Sequence, residues 1–316
     1  MATTENQLRL IQIGANTSDI PATLHLYTEA FGFLNAGCHP LWGKNLSIQG
    51  LPLDSHALVW WMVGMQEFFQ LEFFHHTRPL QRPKRGDWHP TDHGWNRFGI
   101  AVSDFDRCLK SLAVHGVQTI TPPMTEMGLR RVAFRDPYLS VIVEVLEKRK
   151  HSVNDEERPE LVYVTASVAD LESAKAFYRD VLKLEIVQDK MLHAPHHEAL
   201  WGLTGVRLNA FLVRAAGEIL LEIVQYHQPH GRPRADDYRI SDQGIVNVCF
   251  GSRDDEVVGQ ALERAMGAGI RIPIIFKTQG IVAGYLTDRD REIELAAIPQ
   301  TLDAILGFLP QSPFMI

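Results

Sequence analysis

The sequence predicts an α+β protein built from four copies of one βαβββ module. Three observations predict it. An alternating strand followed by an amphipathic helix recurs along the chain. The recurring segments lie at nearly constant offsets. Each module closes on an apolar strand with a glutamate near its middle. Residues 11–33, "IQIGANTSDIPATLHLYTEAFGF", match residues 162–184, "VYVTASVADLESAKAFYRDVLKL", placing Asp19 with Asp170 and Tyr27 with Tyr178, 151 apart. "DHGWNRFGIAVSD" from Asp92 and "DQGIVNVCFGSRD" from Asp242 repeat at an offset of 150, which Glu144 and Glu294 keep. The second half of the chain is therefore a divergent copy of the first.

Each half divides again, with modules beginning near Leu10, Arg97, Leu161 and Ile245. The opening strands alternate, as a half-buried strand should. Helix starts follow at once. Ser18 and Asp19 before Pro21, then Asp104, Asp170 and Asp254, offer side-chain oxygens to the orphan amides of a first turn. Ile20, Leu24, Tyr27 and Phe31 fall on one helical face, which predicts burial of that face. The closing strands are "FQLEFF" with Glu72, "VIVEVL" with Glu144, "LLEIVQ" with Glu222 and "EIELAA" with Glu294. "EKRKHSVNDEERPE", Glu147 to Glu160, is charged, poor in apolar residues and proline-marked, and reads as the linker between halves. The expected organisation is an N-terminal domain over 1–150 (modules about 8–80 and 92–148) and a C-terminal domain over 158–300 (modules about 160–230 and 243–298). A tail over 301–316 follows.

Composition narrows the function classes. The chain has 316 residues, 45% hydrophobic and 22% charged, a globular profile with ample core material. A net charge of -7 argues against nucleic acid as the main partner, since phosphate binding wants a basic face. The basic run "RPLQRPKR", Arg78 to Arg85, reads as a solvated loop. Cys38, Cys108 and Cys249 are odd in number and widely spaced, which fits a reducing compartment and no disulfide framework. The opening "MATTENQLRL" lacks a signal-peptide core, and no apolar run reaches the roughly 18 residues of a membrane span. A cytoplasmic location and no membrane partner are expected. Nucleotide-binding glycine motifs and a GxSxG nucleophile elbow are absent.

Four βαβββ modules in two pairs resemble the vicinal oxygen chelate superfamily, which includes glyoxalase I, extradiol dioxygenases and bleomycin-resistance proteins. The resemblance runs from about Leu8 to Pro299, and is most specific over Ser167 to Glu185 and Thr287 to Leu295. It implies two glyoxalase-like domains, each an open cup of mixed sheet that binds a ligand, often with a divalent metal at its floor. It also implies metal ligands on the first and last strand of each module. Here those positions are Gln12, Arg97, Tyr163 and Asn247 on first strands, and Glu72, Glu144, Glu222 and Glu294 on last strands. All four acidic positions are kept, while no first-strand position is histidine, the usual nitrogen ligand for Fe or Zn.

With modules paired in sequence, Gln12, Glu72, Arg97 and Glu144 are expected in one cup. There the Arg97 guanidinium replaces the metal charge in a buried ion-pair cluster or receives an anionic substrate group. Tyr163, Glu222, Asn247 and Glu294 are expected in the other, holding two carboxylates and no cation, so that one carboxyl pKa rises and can serve proton transfer. Glu222, Glu294, Tyr163, Asn247 and His197 form the expected catalytic set. Arg97, Tyr226, His196, Glu72, Glu144 and Gln12 form the expected substrate-binding set. Of the histidines on "HAPHHEALWG", His196 or His197 is the expected titrating group near the second cup. No metal is assigned; if Fe, Mn or Zn binds, the expected ligands are Glu294, Glu222 and Asn247.

The functional expectation is a glyoxalase or extradiol dioxygenase-like enzyme with a non-standard or absent metal site. It would act on an oxygenated, aromatic or polycyclic small molecule by ring-cleavage, lyase or isomerase chemistry. The alternative is a metal-free protein that binds and sequesters its ligand, as in bleomycin resistance. The expected partner is a small molecule, with a homodimer left open.

Overall fold

The computed structural model describes residues 7–149, 158–187, 192–278, 280–288 and 291–312. Each module runs as its sequence pattern predicts. The first comprises β1 (Arg9–Asn16), α1 (Ile20–Leu26), β2 (Leu34–Trp42), the single turn α2 (Lys44–Ser47), β3 (His56–Val63) and β4 (Gln70–Arg78). The second comprises β5 (Gly94–Val102), α3 (Phe105–Val114), β6 (Met124–Glu126), β7 (Leu129–Arg135) and β8 (Ile142–Glu147). The third holds β9 (Glu160–Ser167), α4 (Leu171–Ala176), β10 (Glu185–Val187), β11 (Arg207–Arg214) and β12 (Leu220–Gln228). The fourth holds β13 (Gly244–Ser252), α5 (Asp255–Gly267), β14 (Ile275–Thr278), β15 (Ile281–Asp288) and β16 (Arg291–Ala297).

The four aspartates act as helix caps. Asp19 accepts from the Ala22 amide, Asp104 from Arg107, Asp170 from Glu172 and Ser173, and Asp254 from Glu256. In modules one and three the helix widens into a five-residue π turn, Tyr27–Phe31 and Phe177–Val181. Tyr27, fully buried, donates to Asp136 Oδ2 at 3.0 Å, and the Phe31 ring stacks on Phe134 at 6.2 Å. These contacts tie the first module's helix to the second module's last hairpin. One continuous apolar core draws on all four modules.

The modules pair differently from the expectation. The strands form two eight-stranded sheets, ordered β14-β15-β16-β13-β1-β4-β3-β2 and β10-β11-β12-β9-β5-β8-β7-β6. The first module therefore shares its sheet with the fourth, and the second with the third. At each centre two opening strands run antiparallel, β1 with β13 (Gly14 opposite Asn247) and β5 with β9 (Gly99 opposite Tyr163). The expected cups over 1–150 and 158–300 are thus replaced by an outer pair and an inner pair. The 150-residue offset identifies which modules are copies; it carries no information on which modules are neighbours. Of the expected linker, residues 150–157 lie outside the described residues.

The two connectors that cross between sheets, residues 79–93 and 229–243, clasp each other by reciprocal ion pairs. Arg82 binds Asp237 and Asp242, and Arg232 binds Asp87 and Asp92, each at 2.6–2.8 Å. The expected tail folds back on the outer cup. Gly307, at φ 78°, lies so close to Trp61 that a Cβ would fall 2.3 Å from its ring, and Phe308 packs on Phe68 at 4.9 Å.

A fragment of residues 1–149 keeps β1 and β5 without β13 and β9, leaving two central strands with unpaired edges. It is expected to self-associate or stay incompletely folded in sedimentation and urea-unfolding measurements. A monomer with one cooperative transition would contradict this pairing.

Candidate active site: two cups of different charge balance

The pairing regroups the eight positions. Gln12, Glu72, Asn247 and Glu294 meet in the outer cup, and Arg97, Glu144, Tyr163 and Glu222 in the inner one. The expected quartets, each drawn from one half of the chain, are both corrected. Asn247 and Glu294 do not meet Tyr163 and Glu222.

The inner cup is filled by its own side chains. Arg97 donates to Glu222 Oε2 at 2.7 Å and to the Tyr226 hydroxyl at 3.0 Å, and its guanidinium covers the Trp201 ring at 4.6 Å. Tyr163 donates to Glu144 Oε2 at 2.6 Å, and Arg131 Nε to Glu144 Oε1 at 2.6 Å. Between the two carboxylates sits His193, with Nδ1 3.0 Å from Glu222 and Nε2 3.1 Å from Glu144. Although burial opposes its charge, the two carboxylates raise the His193 pKa and favour the imidazolium form of the bridging ring. The positive groups in turn lower Glu144 to about 2 and hold Glu222 further down, against the burial of both. Arg97, Glu144, Tyr163, His193 and Glu222 are all at most 1% exposed. Protein cations fill the place where a metal charge would sit.

His193 therefore takes the part expected of His196 or His197. Those two come within ligand range of Glu126, but they do not make a convincing metal site. His197 Nδ1 accepts from the Ala194 amide at 2.9 Å, which leaves the proton on Nε2, 2.9 Å from Glu126. Arg131 stands 3.3 Å from both partners, and burial together with that guanidinium lowers His197 to about 4. Only the loop position of His193 pointed to it; no spacing rule singles it out from its neighbours.

The outer cup has the opposite balance. Gln12 Nε2 donates to Glu72 Oε2 at 2.6 Å and to Glu294 Oε2 at 3.3 Å, so one carboxamide joins two carboxyl groups. Trp61 Nε1 donates to Glu72 Oε1 at 2.9 Å, and Asn247 Nδ2 to Glu294 Oε2 at 3.1 Å. Tyr285, Glu294's cross-strand partner, and Cys249 also hydrogen-bond Glu294. Among the described residues these neutral donors surround the pair, and neither glutamate forms an ion pair. Burial drives both pKa values up despite the hydrogen bonds, Glu294 to about 7, and the charge of Glu294 raises Glu72 further. The two titrate as a pair that holds a proton near neutrality. Glu294 alone of the eight positions is partly exposed.

This quartet also suits a hard divalent cation of the kind the fold implies. It offers two carboxylates and Asn247 Oδ1, which is buried with no hydrogen-bond partner, while Gln12 Oε1 faces Gln70 at 2.8 Å and would have to turn to join them. Oxygen-only donors favour Mn or Mg over Zn. Of the three expected ligands, Glu294 and Asn247 lie together in this cup, whereas Glu222 lies in the inner one. Gly14 makes the close approach possible, because a Cβ there would fall 2.1 Å from Asn247 Oδ1.

The family model of the Glyoxalase/Bleomycin resistance protein/Dioxygenase superfamily matches residues 9–139 and 160–295. The chain belongs to this superfamily. Solved structures agree on the glyoxalase-like fold. Glyoxalase I from Zea mays aligns at 16% identity over 92% of this chain and 92% of its own, with a TM-score of 0.61. A point variant of the maize enzyme reaches 0.62 at 16% identity, over 96% and 95%. A Bacillus subtilis protein described as a dioxygenase gives 0.61 at 12% identity, over 98% and 91%. No curated protein matches the sequence. Among the described residues, no helix of this superfamily member is long and apolar enough to cross a membrane.

His193→Ala should destabilise the protein by about 3–5 kcal/mol in urea unfolding, since it leaves two buried carboxylates without their bridge. The sign of the pH dependence follows from the shifts. The contribution of Glu144 and Glu222, whose folded pKa values are depressed, is lost as pH falls below about 4 toward 2. That of His193, whose folded pKa is raised, is lost as pH climbs through that raised value.

Proposed function

We propose that this protein is an enzyme whose outer cup moves a proton beside a carbonyl of an oxygenated small molecule, giving isomerase or lyase chemistry. The observation that carries this reading is the Glu72–Glu294 pair, with no counter-charge among the described residues and with Glu294 both partly exposed and raised to about 7. A carboxyl group near neutrality is half available as base and half as acid, which is the condition for efficient proton shuttling.

In this reading Glu294 takes the proton from a carbon next to the substrate carbonyl, and its electron pair moves toward the carbonyl oxygen. Gln12 and Asn247 hold Glu294 in place through their carboxamide N–H groups. Where the deprotonated carbon carries a hydroxyl, passage of the hydroxyl proton to the enolate oxygen and return of the carbon-bound proton to the former carbonyl carbon completes an isomerisation, the new carbonyl forming at the deprotonated carbon. Where the next carbon carries an oxygen leaving group, its departure with the proton from Glu294 and formation of the carbon–carbon double bond completes an elimination. The charge of Glu294, when it forms, in turn raises Glu72, which favours a proton on that neighbour. A hard divalent cation held by Gln12, Glu72, Asn247 and Glu294 would polarise the substrate oxygens. The inner cup, sealed and neutralised by Arg97, Arg131 and His193, is the structural partner. In this reading Tyr163 and Glu222, expected in catalysis, and Tyr226 and Glu144, expected in substrate binding, hold the inner cup together.

The test is exchange of C–H protons for deuterium, followed by NMR, across a panel of 2-oxoaldehydes, α-hydroxyketones and aryl ketones. Exchange by the parent should rise with pH through about 7 and fall about 10²- to 10⁴-fold in Glu294→Gln with binding retained. Binding without exchange by any compound would favour the sequestering alternative.

Two stability measurements accompany it. Because the folded pKa of Glu294 is raised, its contribution is present at acid pH and is lost as pH rises through about 7. Glu294→Gln should therefore raise Tm at pH 8 and leave it nearly unchanged at pH 4.5. Mn²⁺ should raise the Tm of the parent and fail to do so in Glu72→Gln.

A further inference from the structure

A cavity of about 420 Å³ lies between the two connectors, far in function from either cup. Its walls include Lys84, Trp88 and Trp95 from one side and Arg234 and Tyr238 from the other. The 150-residue repeat relates these walls, matching Lys84 with Arg234 and Trp88 with Tyr238. Each cation covers the aromatic ring of its own side. Lys84 Nζ stands 3.7 Å from the Trp88 ring centre, and the Arg234 guanidinium 4.3 Å from that of Tyr238.

The symmetry breaks in charge. Arg234 is neutralised by Glu292 at 2.5–2.7 Å. The residue that would neutralise Lys84 in the same way stands 150 positions earlier than Glu292, and it is Ile142. Nearby carboxylates are engaged elsewhere: Asp92 with Arg232, and Asp237 and Asp242 with Arg82. Among the described residues Lys84 has no ion-pair partner, and a second cation, Arg135, also lies over Trp88 at 4.9 Å. Burial first, and then Arg234 and Arg135, hold the Lys84 ammonium well below its ordinary pKa, against the attraction of Asp92.

We propose that this cavity binds a small aromatic monocarboxylate, with Lys84 pairing its carboxylate and the rings of Trp88, Trp95 and Tyr238 enclosing its aromatic body. The volume falls within the usual range for a small-molecule pocket, about 300–1,000 Å³. Of the lysine and arginine side chains that line the cavity, Lys84 is the one without an ion pair among the described residues, and beside three engaged aspartates it suits one negative charge and disfavours a dianion such as phosphate. A carboxylate beside Lys84 favours its charged form, which a neutral aromatic does not.

The probe is 1-naphthoate, titrated against the full-length protein by tryptophan fluorescence and calorimetry, with 1-naphthamide as the uncharged counterpart. Saturable binding of naphthoate is expected, at least about tenfold tighter than naphthamide. Lys84→Met should weaken naphthoate by about tenfold or more without altering naphthamide, and Lys84→Arg should restore most of the affinity. Glu294→Gln should leave naphthoate binding unchanged, which separates this site from the outer cup. Equal affinity for the two probes, full affinity in Lys84→Met, loss in Glu294→Gln or no saturable binding would each overturn the proposal.

Discussion

Antiparallel pairing of module-opening strands, β1 with β13 and β5 with β9, is the contact on which the molecule depends. It places the first strands of two modules side by side at the middle of a sheet, with their closing strands immediately outside. Four chemically important positions then fall on four adjacent strands in each cup. A single shift in either ladder would turn these side chains to the opposite face, because strand side chains alternate. Gly14 and Gly99 mark how tightly the ladders are specified. A Cβ at either would strike the side chain it faces, Asn247 or Tyr163.

The same scaffold carries two electrostatic solutions. In the inner cup, guanidinium and imidazolium groups are brought in from β5, β7 and the loop bearing His193, and the carboxylates stay ionised. In the outer cup the corresponding first-strand positions hold only carboxamides, and the carboxyl groups respond by retaining protons. Burial is common to both, so the difference comes from the charged neighbours. Nothing in the backbone need change for one copy of a duplicated module pair to hold ionised carboxylates while the other holds carboxyl groups with raised pKa values.

Much of this was legible in the chain. The repeat located all four modules, the aspartate caps located the helices, and the glutamate of each closing strand located half of each cup. The presence of a carboxylate pair without a cation was also legible, but the members were misassigned, Glu222 standing where Glu72 belongs. The reason is physical: similarity between copies survives in sequence, whereas adjacency in space depends on how connectors cross between sheets. His193 lies on an irregular loop, where neither period nor spacing fixes the direction of a side chain. The asymmetry between Lys84 and Arg234 became visible only when Glu292 was seen to reach across to one of them.

The nesting of one module pair inside the other sets an order of assembly. As the chain leaves the ribosome, every strand of the inner sheet has emerged once β12 is complete, and that sheet can close on itself. The outer sheet cannot. Its central strand, β1, is made among the first and must wait through well over half the chain for β13. The cup that holds the Glu72–Glu294 pair is therefore the last whose strands are all made, and it can close only after the inner sheet has had the chance to do so.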